Sequence, residues 1–376
     1  MAAKAVTKET NLKVLMTSDA VGGVWQYCVD LVQGLNRCGC EVLVANMGPE
    51  PSSEQKKRLL SFPHVTLEQG GFDLEWTANP WEDVDAAGQW LLRLASEFQP
   101  DIVHLNGYSH ATLPWEAPVL VTGHSCVYSW WKAVHGCTPG HDWSEYHKRV
   151  SQGLAASDIV VAPSAFMAEE LRSEYAVDAR KLRVIHNFSQ SAGITESTKD
   201  DFVLAAGRMW DKAKNLSLLN AIAPEIGWEV RVAGPQRGPQ EPMSEFTHVH
   251  ALGSLPYDEL LTQMHRAAIF VHPALYEPFG LSVLDAALRS CCLVLSDTSS
   301  LRELWNGAAV FADPRKPEHW ISEINALTGD ESRRKQMGNL ARKRARSYSA
   351  DASVNAYLDE YKRAMACPRE KKEVAA

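Results

Sequence analysis

The sequence lacks several features that mark whole classes of protein. None of its apolar runs reaches the roughly 18 residues that a membrane-spanning helix needs, so no membrane span is expected. The stretch from Met1 to Leu12 is polar and lacks the apolar core of a secretory signal peptide. Basic residues are also in deficit, because 38 Lys and Arg face 46 Asp and Glu for a net charge of −8. Nucleic-acid-binding domains are usually basic, so a nucleic-acid partner is not expected.

Cysteine pairs with Cys-x-x-Cys spacing are also missing. The eight cysteines are scattered, and no two of them form a Cys-x-x-Cys pair. This pattern disfavours a zinc site and a thioredoxin-type redox site. It predicts thiols that are mostly buried and a protein of the reducing cytoplasm.

What the sequence does contain is two stretches in which short apolar strands alternate with helices. The first covers residues 1–188 and the second covers 202–350, and the polar segment 189–201, which contains Gly193, is predicted to link them. A length of 376 residues also favours two domains. Strands that alternate with helices predict parallel sheets covered on both faces, and hence an α/β protein.

The predicted elements follow from apolar periodicity and from breaker residues. The strands are predicted at Lys13–Thr17, Glu41–Asn46, Ile102–Leu105, Val119–Thr122, Ile159–Ala162, Leu182–Ile185, Phe202–Ala205, Glu229–Val232, Val249–Leu252, Ile269–Val271 and Leu293–Leu295. The first helix is predicted to end near Arg37. Further helices are predicted at Asp83–Phe98, Glu145–Ala156, Ala165–Tyr175, Asn215–Ile222, Tyr257–Arg266 and Val354–Met365. Residues 351–376 are predicted to form that final helix and a disordered tail from Arg369.

The stretch from Tyr276 to Arg289 carries the strongest functional signal. It follows a predicted buried strand, and its apolar residues then recur at helical spacing. Glu277 precedes the predicted helix, and Gly280 lets backbone come close to a ligand. The free N–H groups at a helix start suit a phosphate. Asp285 follows eight residues after Glu277, about two turns into the predicted helix, so two carboxylates bracket an anion site.

Other candidate residues also follow predicted strands. Ligands bind beyond the carboxyl ends of the strands in open α/β sheets. Gly22-Gly23 follows the first strand, but no acid ends the second strand, which disfavours a nicotinamide-dependent dehydrogenase. His124 follows the strand Val119–Thr122. Trp25, Ser125 and Trp130 lie near these positions and are candidates for the acceptor side, since tryptophan can stack on sugar rings although it more often packs inside proteins.

These motifs resemble those of the retaining GT-B glycosyltransferases of family 4 type. The run Glu277-Pro278-Phe279-Gly280-Leu281 resembles their Glu-x7-Glu signature, with Asp285 in place of the second Glu. Gly207-Arg208 with Lys214-Asn215 resembles their Gly-Arg…Lys-Asn element. The resemblance implies a GT-B fold, with two Rossmann-like domains facing each other across a cleft. It also implies that the final helix, within residues 351–376, crosses back to the first domain. GT-A transferases hold a metal ion with an Asp-x-Asp motif. The string Asp83-Val84-Asp85 has that pattern, but it lies among helix-forming residues and is interpreted as chance.

The resemblance also implies roles for individual residues. Catalytic roles are implied for His124, Arg208, Lys214 and Glu277. Donor-binding roles are implied for Gly22, Gly23, Arg208, Lys214, Glu277, Phe279, Gly280, Leu281, Asp285 and Glu303. Two fixed cations would stabilise the charge on a leaving diphosphate.

The resulting hypothesis is a hexosyltransferase that uses a nucleotide-diphosphate sugar, with UDP as the family-level expectation. It would retain configuration and need neither a metal nor a cofactor, the nucleotide sugar being a substrate. No carboxylate near Gly22 or His124 is an obvious nucleophile, and Asp19 is the nearest. The acceptor would be a hydroxyl group of a sugar, of a lipid-linked compound or of a small molecule. Two alternatives stay open: a nucleotide-sugar epimerase and a non-catalytic nucleotide-sugar-binding protein. Peripheral membrane contact is also open through the basic runs Arg333–Lys335 and Arg342–Arg346, although we interpret these runs as a solvated helix face.

Overall fold

The computed structural model describes residues 11–190, 198–238 and 246–366 of the chain. Gly193 of the predicted linker, Cys367 and the tail after Arg369 lie outside the described residues. Contacts divide the chain into two compact units. Within the described residues, the first unit runs to Tyr128, resumes over Pro139–Gln190 and ends with the helix that begins at Ala350, and the second contains Ser129–Thr138 and the chain up to Ser349.

Each unit contains one parallel sheet. The strands of the first are β1 (Lys13–Ser18), β2 (Glu41–Asn46), β3 (Val65–Gln69), β4 (Ile102–Leu105), β5 (Val119–Thr122), β6 (Ile159–Ala162) and β7 (Leu182–Val184), in the order β3-β2-β1-β4-β5-β6-β7. Those of the second are β8 (Asp200–Ala206), β9 (Glu229–Ala233), β10 (His250–Gly253), β11 (Ala267–His272), β12 (Cys292–Ser296) and β13 (Val310–Ala312), in the order β10-β9-β8-β11-β12-β13. The predicted α/β class is confirmed.

Helices connect these strands. They are α1 (Gly23–Arg37), α2 (Ser53–Leu59), α3 (Trp81–Phe98), α4 (Val127–His135), α5 (Ser144–Ala156), α6 (Ala165–Tyr175), α7 (Leu216–Ile222), α8 (Tyr257–Arg266), α9 (Leu281–Leu288), α10 (Ser299–Trp305), α11 (Pro317–Thr328), α12 (Glu331–Ala345) and α13 (Ala350–Ala366). Among the helices described, none has the length and apolar character to cross a membrane.

The first unit is closed by the last helix of the chain. Helix α13 packs against α1, where a Cβ at Gly34 would collide with the Val354 side chain. Only glycine allows this approach, so the contact fixes the position at which α13 crosses α1. Buried tyrosines of α13, Tyr357 and Tyr361, reach the sheet side of α1 and contact Tyr27 and His104.

The second sheet is covered by an apolar core on each face. One core surrounds the fully buried Trp305 and includes α9, and the other surrounds Trp320 of α11. Strand β11 lies between β8 and β12, with Phe270 opposite Leu204. This pairing brings the loop after β8 beside the loop after β11 at the carboxyl edge of the sheet, where ligands bind in such folds.

Some elements of the fold were not predicted from the sequence. Helix α2 and strand β3 occupy a stretch that showed little periodicity, although Ser52 and Gln55 form a capping box that starts α2. Helix α4 and strand β13 were not predicted either. Helix α4 begins in the first unit and continues in the second, since Ser129–Thr138 makes its contacts there.

Candidate active site

Two loops of the second unit bring together the residues with the strongest predicted roles. The loop after β8 carries Lys214 and the loop after β11 carries Glu277, and Lys214 Nζ lies 2.7 Å from Glu277 Oε2. Their side chains are only 17% and 12% exposed. Burying two charges is tolerated because they are paired. Two of the residues with predicted roles therefore contact each other within one unit.

His272 also contacts Glu277, and it was not predicted as a site residue. It is the last residue of β11, its side chain is 3% exposed, and its Nε2 lies 2.9 Å from Glu277 Oε2. Since Lys214 also contacts Oε2, two donors converge on one carboxylate oxygen. The available sequence signal was its place at the carboxyl end of a buried strand, five residues before Glu277.

Glu277 is held in its charged form. Burial alone would raise the pKa of its carboxyl group, but the charge of Lys214 and the hydrogen bond from His272 together hold that pKa well below its usual range. The carboxylate can therefore accept hydrogen bonds from hydroxyl groups throughout the physiological pH range.

This shift predicts a specific loss of stability in acid. The pKa of Glu277 is lower in the folded state than its ordinary 4.5, so its contribution to stability is complete above pH 4.5 and is lost as pH falls toward the folded value. Below pH 4.5 we expect Glu277 to add up to about 1.4 kcal/mol per pH unit to the slope of the unfolding free energy. Urea unfolding of wild type and Glu277→Gln at several pH values measures this. Equal slopes in the two proteins would contradict the shift.

Arg208 is held by a buried carboxylate that the sequence did not single out. Its Nη2 and Nε lie 2.6 and 3.3 Å from Asp211 Oδ2, and the Asp211 side chain is 5% exposed. The backbone N–H of Ala213 donates to Asp211 Oδ1 at 2.9 Å. Burial would raise the pKa of Asp211, but Arg208 and Lys214 lower it, so the carboxylate stays charged. Asp211 thereby fixes one edge of the Arg208 guanidinium.

Trp130 lies in the second unit with these predicted donor residues. Its Nε1 donates to Asp211 Oδ1 at 3.2 Å. The neighbouring Ser129 hydroxyl lies 3.0 Å from the Tyr276 hydroxyl, next to Glu277 in sequence. The ring of Trp130 is half-buried. The tryptophan predicted for the acceptor side thus contacts the carboxylate that holds Arg208.

Helix α9 starts later than the sequence indicated. Gly280 adopts φ 87°, in the left-handed region, and forms the N-cap, so the helix begins at Leu281. Asp285 is therefore the fifth helical residue, about one turn into α9, and the predicted two turns are wrong. Its carboxylate is buried and accepts a hydrogen bond from Tyr257 at 3.0 Å. Arg289 Nη1 lies 3.9 Å from Oδ1 as an ion-pair partner and donates to the backbone oxygen of Asp285 at 3.0 Å.

The residues that flank Gly280 are packed into the second unit. Phe279 is buried, and its ring meets Tyr348 edge to face at 5.4 Å. Leu281 is half-buried against the same core. These two side chains anchor the start of α9, while the backbone around Gly280 remains the part suited to contact a ligand.

In the first unit, the predicted residues follow two strands, β1 and β5. Gly22 and Gly23 start α1, and Gly22 is extended rather than left-handed at φ −161°. Asp19 accepts a hydrogen bond from Val21 N at 2.9 Å, which shapes the turn before them. Trp25 is only 4% exposed, so sugar stacking on its ring would require a rearrangement.

His124 is half-buried at the end of β5. Its Nε2 lies 2.9 Å from Asn106 Oδ1, and its ring meets Tyr27 edge to face with centroids 4.4 Å apart. Burial lowers the pKa of His124 to about 3, so the imidazole is neutral at physiological pH. Ser125 beside it is exposed, and its carbonyl accepts a hydrogen bond from Tyr108 at 2.7 Å.

A cavity opens at the carboxyl ends of β1, β2 and β4 in the first unit. The polar and aromatic residues that line it include Thr17, Asp19, Asp73, Glu75, Trp76 and Asn106. Trp76 is 37% exposed. No lysine or arginine is among the described residues that line the cavity. Its lining therefore suits a hydroxyl-rich, uncharged molecule better than an anion.

Comparison with known proteins identifies the family. A family model described as Glycosyltransferase Family 4 matches residues 21–189, and one described as Glycosyl transferases group 1 matches residues 189–344. Together the two models span most of the chain. The chain belongs to the family 4 glycosyltransferases.

Individual relatives of this glycosyltransferase agree with that assignment. It is 24% identical to the glycogen synthase of Mycobacterium tuberculosis, over 89% of this chain and 91% of that protein. The structure of sucrose-phosphate synthase from Thermosynechococcus elongatus matches with a TM-score of 0.74 and 16% identity, over 94% of this chain and 99% of that one. Anabaena HepE, solved with UDP and glucose, matches with a TM-score of 0.69 and 14% identity over the same shares. These neighbours confirm the predicted GT-B fold.

The remaining predicted features of the glycosyltransferase lie at the surface or in the core. Glu303 is exposed on α10, as a helix-surface residue would be. The seven described cysteines form no disulfide with one another, and all except Cys137 are buried. The expectation of mostly buried thiols is thus confirmed for the described part of the chain.

Proposed function

We propose that this protein transfers a hexose from a nucleoside diphosphate sugar, with UDP as the nucleotide, to an acceptor hydroxyl. The transfer retains configuration and uses no catalytic metal. The observation that carries the proposal is the buried cluster of Lys214, Glu277 and His272. The Arg208–Asp211 pair adjoins it, since Lys214 N donates to Asp211 O at 2.9 Å.

The two cations suit a leaving diphosphate. In the reaction, the acceptor oxygen bonds to the anomeric carbon while the bond from that carbon to the diphosphate oxygen breaks. The acceptor proton moves to the departing phosphate oxygen. Negative charge then grows on the phosphate, and Arg208 as a planar fork with Lys214 as a point charge stabilises it. Both side chains face carboxylates in the ligand-free protein, so phosphate binding would redistribute existing ion pairs.

Glu277 is proposed to hold hydroxyl groups of the donor sugar. Lys214 and His272 both contact Oε2, which leaves Oε1 able to accept hydrogen bonds. Asp285 is proposed to hold a hydroxyl at the nucleotide end, as the motif resemblance implies. Its bond from Tyr257 would then be shared or exchanged.

Two further observations support the proposed identity of the nucleotide and the proposed class of acceptor. Anabaena HepE, whose fold is similar, was solved in complex with UDP and glucose, which supports a UDP-hexose donor. The carboxylates of Asp19 and Asp73 at the small cavity in the first unit would repel a phosphate, which supports an acceptor without one.

The proposal is tested by incubating the full chain with UDP-hexoses, with and without neutral and phosphorylated sugars as acceptors. We expect UDP release that depends on a neutral acceptor, that EDTA does not slow, and that yields a product with the donor's anomeric configuration by NMR. Epimerised donor without an acceptor would instead identify an isomerase. Binding without turnover across the panel would identify a binding protein, and an inverted product would point to Asp19 as a base.

A further inference from the structure

A residue outside the predicted set, Asn106, is fixed at three points behind His124. It follows β4, and its backbone N–H donates to Thr17 Oγ1 at 2.8 Å. Its side-chain Nδ2 donates to the backbone oxygen of Thr17 at 2.7 Å. Because a carbonyl oxygen can only accept, the NH₂ group of the amide must face Thr17. The amide oxygen therefore faces His124.

This orientation fixes the proton on the imidazole ring. Asn106 Oδ1 lies 2.9 Å from His124 Nε2 and can only accept, so Nε2 carries the hydrogen. Burial keeps the ring neutral, because it lowers the pKa of His124 to about 3. In a neutral imidazole with hydrogen on Nε2, Nδ1 carries the lone pair and is an acceptor.

We propose that Asn106 is a positioning residue that holds His124 in the tautomer whose Nδ1 accepts a hydrogen bond from a hydroxyl group of the sugar substrate. The substrate contact of His124 is the role that the family 4 resemblance implies, and it rests on the proposed function. The tautomer itself depends only on the contacts of the first unit.

The groups packed around the ring support a single neutral tautomer. Tyr27 meets His124 edge to face, and its hydroxyl donates to Tyr357 of α13 at 2.7 Å. His104, buried behind them, lies 2.7 Å from Thr122 Oγ1 and 2.6 Å from the Tyr361 hydroxyl. These titratable neighbours of His124, Tyr27 and His104, are uncharged at neutral pH because burial raises the pKa of the tyrosine and lowers that of the histidine to about 3.

The direct test is nitrogen NMR of the full chain with ¹⁵N-labelled histidine. The His124 signals are assigned by their loss in His124→Gln. We expect a protonated Nε2 and an unprotonated Nδ1 between pH 6 and 8. A protonated Nδ1, or a doubly protonated ring, would overturn the proposal even if the protein proved to have no transferase activity.

Two variants test the role in turnover. Asn106→Leu removes the acceptor from Nε2, and we expect a mixture of tautomers and a loss of about 10-fold in kcat with a smaller change in KM. Asn106→Asp places a carboxylate beside Nε2 and favours the charged ring, so we expect the pKa of His124 to rise and kcat to fall as pH is lowered from 8 to 6.

A matched variant controls for the added charge. Asn220 also accepts backbone N–H groups through Oδ1, from Thr247 and His248, and it lies on α7 in the second unit, whereas His124 belongs to the first. Asn220→Asp should leave the His124 spectrum and the pH profile of kcat unchanged. If Asn106→Leu keeps both the wild-type tautomer and the wild-type kcat, or if Asn106→Asp leaves the pH profile unchanged, the positioning role is wrong.

Discussion

Replacing Arg208 by alanine is expected to lower kcat by about 10²- to 10³-fold, the usual cost of removing one fixed group that stabilises charge in a transition state. The guanidinium is held at Nε and Nη2 by Asp211, which leaves its other edge available for phosphate oxygens. Arg208→Lys keeps the charge but loses the planar fork, so we expect it to recover only part of the lost rate. Steady-state release of UDP measures both variants.

The same variants should lose little stability. Asp211 keeps hydrogen bonds from Trp130 and Ala213 when Arg208 is removed, so we expect a cost of about 1–2 kcal/mol in the free energy of unfolding. Arg172 is a matched control, since its Nε and Nη2 contact the exposed carboxylate of Glu169 at 2.7 and 2.6 Å. Arg172→Ala should leave kcat unchanged. Full activity in Arg208→Ala would remove this residue from the mechanism.

Replacing Lys214 by alanine is expected to abolish measurable transfer and also to destabilise the fold. Glu277 would be left buried with only His272 beside it, and breaking a buried ion pair on one side costs about 3–5 kcal/mol. The double variant Lys214→Ala with Glu277→Gln removes both charges together. We expect it to regain most of the unfolding free energy but none of the activity.

This combination separates chemistry from stability. The exposed pair of Lys335 and Glu331 has the same 2.7 Å separation, so Lys335→Ala should change neither unfolding nor turnover. The free energy of unfolding in urea and the rate of UDP release are measured for wild type, Lys214→Ala, the double variant and Lys335→Ala. If the double variant were as active as wild type, Lys214 and Glu277 would be structural residues only.

Much of the fold could be predicted from the sequence because apolar strands buried on both faces give a strong local signal. Strands β2, β4, β5 and β6 begin and end at the predicted residues. Strand β3 was missed because its residues are only partly buried, and their pattern is weak. The start of α9 was misplaced because the predicted helix was taken to follow Glu277 directly, whereas Gly280 in a left-handed conformation sets the boundary.

The candidate site was predicted only where a motif marked it. Arg208, Lys214 and Glu277 stand in recognisable spacing, and Lys214 and Glu277 do meet. Asp211 and His272 make local contacts, with Arg208 three residues before and with Glu277 five residues after, and they were missed because no motif marked them. Trp130 depends on a helix whose residues are divided between two units, and no local pattern predicts that division.

The measurement that tests the central claim most directly is calorimetric titration of the ligand-free protein with UDP and with UMP. If Arg208 and Lys214 bind the diphosphate, wild type should bind UDP more tightly than UMP. Arg208→Ala should then weaken UDP binding by about 10- to 100-fold, the value of a hydrogen bond to a charged group, and weaken UMP binding less. Equal affinity of wild type and Arg208→Ala for UDP would contradict the account.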